Sequence, residues 1–106
     1  MMTERDQSIL QQFADKVRLH IPDAQIWVFG SRARGDAQPD SDMDICVVAG
    51  EMNAKHRNIV SYAAWEVGFE NELFLQTLKY SREQFENSPR VSSPLLRAIR
   101  QEGILA

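Results

Sequence analysis

The sequence contains little that could cross-link the chain or hold a zinc ion. Of its 106 residues, one is cysteine and two are histidine. A single thiol excludes an internal disulfide, and so few cysteines and histidines exclude the multi-cysteine zinc sites of many small domains. Cys46 lies in an apolar run, where a free cysteine usually packs as a small hydrophobe. We therefore predict that Cys46 is buried and chemically inert.

Long apolar runs and an excess of positive charge are also missing. No segment approaches the roughly 18–20 apolar residues of a transmembrane helix, and the N-terminal MMTERDQSIL does not have the pattern of a signal peptide. We expect no membrane association and a cytoplasmic location. The formal net charge is −3, whereas general nucleic-acid-binding domains are usually basic. Any binding of phosphate must therefore be local.

The composition that remains is that of an ordinary folded domain. Apolar residues make up 43% and charged residues 25% of the chain, which is typical of globular proteins and not of disordered ones. A chain of 106 residues has the usual size of one domain. We therefore predict a single domain over residues 1–106.

Hydrophobic spacing and turn residues predict an alternation of helices and strands. Such an order is typical of an α/β domain built in two or three layers. The predicted elements are a helix over Thr3–His20, a strand over Ile26–Phe29, a helical turn from Ser31 and a loop to Ser41, a strand over Asp42–Val48, a helix over Met52–Val67 ended by Gly68, a strand over Glu72–Tyr80, a short helix capped by Ser81 and Gln84, and a last helix that opens at Ser93 and Pro94, carries Ile104 on its apolar side and ends at Gly103.

Gly30 and Ser31 lie where the first predicted strand turns into the following loop. A glycine at such a junction lets the backbone approach a ligand with no Cβ in the way. If a helical turn begins at Ser31, its free N–H groups and the serine hydroxyl can donate hydrogen bonds to a phosphate. Taken alone, a Gly-Ser pair after a strand is more often a turn and a helix cap.

Asp42 and Asp44 open the second predicted strand. Because side chains alternate across a strand, the two carboxylates are expected on one face, about 6.5–7 Å apart along the chain, with Met43 pointing to the core. Neighbouring carboxylates repel each other unless a cation lies between them, and Mg²⁺ prefers a few carboxylates together with substrate phosphates. An isolated Asp-x-Asp is more often a pair of solvated residues.

The two features together are far more specific than either one alone. Ten residues separate Gly30-Ser31 from Asp42-Met43-Asp44. This spacing, with the extended forms GSRARG and SDMD, resembles the signature of the polymerase-β-type nucleotidyltransferase superfamily, and especially of its minimal members. The ending PLLRAIRQEGILA also resembles short bacterial members, so the resemblance covers nearly the whole chain.

The resemblance implies a nucleotidyltransferase fold, which is a small mixed sheet flanked by helices in the α/β (α+β) class. It implies that Gly30 and Ser31 hold the β- and γ-phosphates of a nucleoside triphosphate such as ATP, and that the catalytic Asp42 and Asp44 bind Mg²⁺. The implied reaction transfers a nucleoside monophosphate, AMP in the case of ATP, to a hydroxyl acceptor and releases pyrophosphate.

Two arginines follow the Gly-Ser pair. Arg34 could reach a phosphate oxygen of the nucleotide with its planar guanidinium. An equally good interpretation makes Arg34 a surface residue or an ion-pair partner of Asp36. Arg32 is expected to face solvent.

Active members of this superfamily usually carry a third carboxylate on the next strand, where it ligates the catalytic metal and can act as a base. Aligned by its end at Ser81, this strand offers Gln76, a neutral amide that cannot act as a base. Aligned by its start, it offers Glu72 as the third catalytic residue. Because Glu72, Phe74 and Gln76 share one face by alternation, the sequence leaves both alignments open.

Small members of the superfamily resemble the antitoxin half of a toxin–antitoxin pair, encoded beside a HEPN-type helical protein to which they can attach AMP. The resemblance therefore implies a separately encoded protein partner. Two functions stay open: a catalytic minimal nucleotidyltransferase, or a weakly active or inactive nucleotide-binding module that acts by protein association. A homo-oligomer is compatible with both.

Overall fold

The computed structural model describes residues 2–87 and 93–106. That part of the chain forms nine elements. The helices are α1 (Glu4–His20), α2 (Ser31–Arg34), α3 (Ala54–Asn71), α4 (Arg82–Glu86) and α5 (Pro94–Glu102), and the strands are β1 (Gln25–Phe29), β2 (Met43–Ala49), β3 (Leu75–Ser81) and β4 (Ile104–Leu105). Within the same ranges, no helix is both long and apolar enough to cross a membrane.

The strands form one mixed sheet in the order β3-β2-β1-β4. Strand β1 runs antiparallel to β2 and β4, whereas β2 and β3 are parallel. A parallel pair needs a long crossover, and the 18-residue helix α3 supplies it. The predicted mixed sheet flanked by helices is confirmed. As a result, the end of β1 and the starts of β2 and β3 meet at the same end of the sheet.

Both faces of the sheet are covered. On one face, Ile26, Ile45 and Val47 are fully buried and pack with the apolar sides of α1 and α3. On the other face, Cys46 and Val48 pack with α4 and α5. Strand β2 is central in the sheet and is buried on both sides, which agrees with its nearly continuous apolar sequence.

The prediction for Cys46 is confirmed as far as its burial goes. The side chain has no exposed surface, and burial raises the pKa of the Cys46 thiol to about 12. Since the thiolate is the reactive form, we expect Cys46 of the native protein to resist alkylation by iodoacetamide at pH 8. Mass spectrometry would show labelling after denaturation in urea, and rapid labelling of the native protein would contradict the buried position.

The predicted helix ends that depend on local capping are confirmed. The Thr3 side chain accepts a hydrogen bond from the backbone N–H of the third residue of α1. Ser81 and Gln84 form the reciprocal capping box at the start of α4. Ser93 caps α5, and Gly103 ends it.

The predicted end of the second long helix and the predicted start of the third strand are wrong. Helix α3 continues for about one turn past Gly68, and Glu72 ends it in a left-handed conformation with φ of 53°. A Cβ on Gly68 would lie 2.4 Å from the Leu73 carbonyl oxygen. The glycine is therefore needed where the chain folds back over the helix, and the strand begins only at Leu75.

The short strand β4 was missed by the sequence analysis. Ile104 pairs with Val28, and Leu105 pairs with Trp27, so Ile104 does not belong to the apolar side of the last helix as predicted. Two residues are too few for an alternating pattern. Only the neighbouring strand shows that this segment is extended.

Candidate functional site

Three segments predicted to carry chemistry meet at one end of the sheet. Asp44, near the start of β2, pairs with Phe29 at the end of β1 on one side. On its other side it pairs with Gln76 near the start of β3. Paired residues of a sheet project to the same face, because alternation is shared across the ladder. Asp44 therefore lies between Phe29 and Gln76, on the face that α4 and α5 cover farther along the strands.

Gly30 lies directly against the Asp44 carboxylate. The glycine has φ of 74° and ψ of −155°, a combination essentially restricted to glycine. A Cβ at this position would lie 2.7 Å from Asp44 Oδ2. The structure thus brings the turn after β1 and the carboxylate of β2 into contact.

Replacing Gly30 with alanine should cost about 2–3 kcal/mol of unfolding free energy, because it combines a disfavoured backbone conformation with a clash against Asp44. Urea unfolding would measure the loss. Gly35→Ala is the matched control, since Gly35 also has a positive φ, of 82°, but is exposed. We expect about 1 kcal/mol for the control, and equal losses for the two variants would contradict the close approach.

The two aspartates differ in their surroundings. Asp42 is exposed and precedes β2 by one residue, while Asp44 is half-buried within it. Met43 between them is fully buried, as predicted. Burial, and then the charge of Asp42, raise the pKa of the Asp44 carboxyl above its usual value. A bound cation would relieve both costs, because it neutralises the pair and replaces lost hydration.

The structure places the two candidates for the third ligand differently. Gln76 is exposed and stands beside Asp44 in the parallel register. Glu72 lies before β3, at the left-handed end of α3, so the alternation that was expected to place it on the same face does not extend to it. Within residues 2–87 and 93–106, no three His, Cys, Asp or Glu side chains gather closely enough to hold a metal ion. The register favours Gln76, and the catalytic role of Glu72 remains a prediction.

Arg32 was expected to face solvent, and this expectation is wrong. Its side chain is 5% exposed and forms an ion pair of 2.9 Å with Asp6, itself 4% exposed. The guanidinium also donates hydrogen bonds to the backbone carbonyls of Pro39, at 3.1 Å, and Ser41, at 2.6 Å. Arg32 thereby ties the loop that leads into Asp42 to the first turn of α1.

A signal for this buried pair was present in the sequence. Asp6 lies one helical turn before the buried residues Ile9 and Leu10 of α1, on the same apolar stripe as Phe13. A carboxylate on the buried face of a helix needs a partner of opposite charge. The sequence does not say which arginine supplies it.

The remaining predicted nucleotide-binding residues flank the turn. Ser31 begins the predicted helical turn, which is confirmed as α2. Arg34 pairs with Asp36 at 3.3 Å and lies 3.9 Å from Glu102, with half of its side chain exposed. Exposed ion pairs of this kind contribute little, so they can be exchanged for a phosphate. The nucleotide contacts of Ser31 and Arg34 remain predictions.

Comparison with known proteins gives a family and a set of folds. The nucleotidyltransferase domain family matches residues 8–96, and no curated protein matches the chain. A candidate nucleotidyltransferase from Sulfolobus solfataricus superposes with a TM-score of 0.62 at 23% identity, over 95% of this chain and 78% of that one.

Two toxin–antitoxin structures are also similar. One was crystallised with AMP-PNP and has a TM-score of 0.64 at 20% identity, and the match covers 90% of this chain and 69% of that one. The other is an MntA–HpeT mutant with two aspartates replaced by glutamate. It has a TM-score of 0.60 at 17% identity, and the match covers 94% of this chain and 70% of that one. At these identities the structures show a shared fold.

Proposed function

Because the chain belongs to the nucleotidyltransferase domain family, we propose that it transfers a nucleoside monophosphate, AMP from ATP, to a hydroxyl acceptor on a partner protein. The observation that carries the proposal is the contact between Gly30 and Asp44. The contact supports the proposal, because the turn that would accept phosphate lies directly against the carboxylate that would hold the metal. A phosphoryl group and a divalent cation need such adjacent positions.

The donor set at this end of the sheet fits a nucleotide-bound Mg²⁺. Asp42 and Asp44 would supply two carboxylates, and the phosphates of the nucleotide would supply further oxygens. When bound, the ion neutralises charge on the phosphates and on the leaving group. The backbone of Gly30, which has no side chain, would let the phosphates approach closely, and the Ser31 hydroxyl and Arg34 would donate hydrogen bonds to their oxygens.

A second candidate function is favoured by Gln76. Gln76 pairs with Asp44 across β2 and β3, and an active transferase would use a carboxylate as ligand and base at such a position. With a neutral group there, the acceptor hydroxyl must lose its proton to Glu72, to water or to a group of the partner. Transfer would then be slow or dependent on the partner, or the chain would act as a nucleotide-binding antitoxin by association alone.

The two similar toxin–antitoxin structures support a separately encoded partner. One of them was crystallised with AMP-PNP, which supports an adenine nucleotide as the ligand of this fold. We propose a HEPN-type protein as the partner and acceptor. A pull-down with such a protein, encoded beside this chain, would test the association independently of transfer.

Calorimetric titration with a non-hydrolysable ATP analogue, with and without Mg²⁺, tests the site. We expect Mg²⁺-dependent binding that Asp42→Asn and Asp44→Asn each weaken by more than about tenfold, or 1.4 kcal/mol. Asp40→Asn is the matched control, because Asp40 is an exposed carboxylate of the same loop outside the pair. Equal effects of all three substitutions, or no Mg²⁺-dependent binding, would exclude the proposed site.

A transfer assay then separates the two functions. The protein is incubated with Mg²⁺, ATP labelled at the α-phosphate and the HEPN-type partner. Label that appears on the partner, and disappears with Asp44→Asn, supports the transferase. Nucleotide binding and association without label transfer support the non-catalytic antitoxin.

Asp44→Asn should also raise the melting temperature of the metal-free protein at pH 7. The pKa of Asp44 is raised above its usual value of 3.8 in the folded state, so ionised Asp44 opposes folding at pH 7. This cost disappears as the pH falls through the folded pKa and is absent below 3.8. Thermal melts at pH 7 and pH 3 without Mg²⁺ should therefore show a gain only at pH 7. A lower melting temperature of the variant at pH 7 would contradict this account.

A further inference from the structure

Three aromatic side chains form an exposed stripe on the outer face of α3. Tyr62 and Trp65 are each 63% exposed, and Phe69 is 75% exposed. Their rings contact one another in sequence, with centroids 6.0 Å apart for Tyr62–Trp65 and 5.6 Å apart for Trp65–Phe69. These three residues are called the aromatic stripe below.

Helix α3 is apolar on both of its sides. Its inner side packs Val60, Ala63 and Val67 into the core, and its outer side carries the aromatic stripe. Contiguous large apolar side chains on an exposed face commonly mark a surface that binds a partner. The outer face of α3 is therefore expected to meet another surface.

Two more large apolar side chains extend the stripe. Phe74 is 66% exposed and lines a cavity of about 550 Å³ together with Trp65 and Phe69. Leu19, 77% exposed, lines a second cavity with Tyr62. Large side chains of this kind carry about 150–250 Å² each, so the exposed apolar area is roughly 500 Å². That is near the upper end for a monomer and matches the apolar share of a standard interface of about 800 Å² per partner.

Charges of opposite sign lie at the two ends of the stripe. Lys55 and Arg57 are exposed at the N-terminal end of α3, and Glu70 and Glu72 are exposed at its C-terminal end. Arg57 lies toward β3, where it contributes, after burial, to lowering the pKa of Lys79, so Lys55 is the cation in line with the stripe. From the N-terminal to the C-terminal end of α3, the outer face thus carries a cation, then the aromatic stripe, then anions.

Such a face is complementary to the same face of a second copy that is related to it by a two-fold rotation. In a two-fold contact, residue i meets residue j of the second copy and residue j meets residue i. With two α3 helices antiparallel and Trp65 near the axis, Lys55 of each copy, seven residues before Tyr62 and so in line with the stripe, faces the Glu70 end of the other. We infer that the outer face of α3 is a two-fold interface between two copies of this chain. This inference does not depend on the proposed function.

The interface would border the candidate site. The cavity beside the aromatic stripe extends along the start of β3 to Gln76, the neighbour of Asp44. A second copy on α3 would therefore form one wall of the approach to the site from this side.

Sedimentation equilibrium of the full chain tests the interface. We expect a dimer over concentrations of about 1–100 μM. Trp65→Ser should raise the dimer dissociation constant by more than about tenfold, and it should leave folding intact because Trp65 is exposed. Leu105→Ser is the matched control, since Leu105 is also about half exposed but lies on β4. A monomeric wild type, or a dimer that Trp65→Ser does not weaken, would overturn the inference.

Charge reversal distinguishes this geometry from any other dimer and from a surface used for a different protein. Lys55→Glu alone places two carboxylates opposite each other at both ends of the contact, and Glu70→Lys alone places two cations there. Each variant should therefore be largely monomeric at concentrations where the wild type is dimeric. An equimolar mixture restores opposite charges at both ends and should form a heterodimer. A mixture that stays monomeric while the wild type dimerises would refute the antiparallel arrangement.

Discussion

Replacing Gln76 with aspartate should raise nucleotidyl transfer by about a hundredfold, the lower end of what a positioned general base contributes. Gln76 stands beside Asp44 in the parallel register of β2 and β3, and it is exposed, so the chain tolerates a charge there. A carboxylate at this position would complete the ligand set and accept the acceptor's proton. The measurement is the initial rate of pyrophosphate release from ATP in the presence of Mg²⁺ and the proposed HEPN-type partner.

Two further variants make this prediction specific. Gln76→Asn shortens the side chain as aspartate does but stays neutral, so it should leave the rate unchanged. Glu72→Gln should also have little effect if the register identifies the correct neighbour of Asp44. Abolished wild-type transfer in Glu72→Gln, with no gain from Gln76→Asp, would instead assign the third carboxylate to Glu72.

Arg32→Met should lower the free energy of unfolding by about 3–5 kcal/mol, because it leaves the buried Asp6 carboxylate without its partner. The substitution also removes the hydrogen bonds that Arg32 donates to the carbonyls of Pro39 and Ser41. Small domains are stable by only about 5–15 kcal/mol, so the variant should be partly unfolded near 37 °C. Urea unfolding followed by circular dichroism would measure the loss.

The control for this prediction lies two residues along the same helix. Arg34→Met removes an arginine whose ion pairs are exposed, and it should cost less than about 1 kcal/mol. The double variant Asp6→Leu with Arg32→Met removes both charges, and it should recover much of the stability that Arg32→Met loses. A loss for Arg32→Met no larger than that for Arg34→Met would show that the buried pair does not stabilise the fold.

The elements that the sequence predicted well are those with local causes. The capping serines at Ser81 and Ser93 act on the N–H groups two or three residues away, so their effect is visible in a short window. The apolar run of β2 is visible in the sequence because nearly all of its residues are buried, and β1 is buried on one face and half-buried on the other. The failures at Gly68 and at β4 concern contacts with residues outside such a window.

The spacing of Gly30-Ser31 and Asp42-Met43-Asp44 was sufficient to predict a phosphate turn and a carboxylate pair, because each prediction depends on residue type and on strand alternation, and the structure brings the two segments together. Strand alternation alone could not choose between Glu72 and Gln76, since a shift of four residues keeps the same face. The end of α3 and the parallel pairing of β2 with β3 place Gln76, and not Glu72, next to Asp44 in the sheet. The burial of Arg32 was likewise decided by Asp6, which only the packing of α1 against the loop brings within reach. The chemistry at the turn is therefore local in the sequence, whereas the third group beside Asp44 and the tie that holds the loop are properties of the tertiary structure.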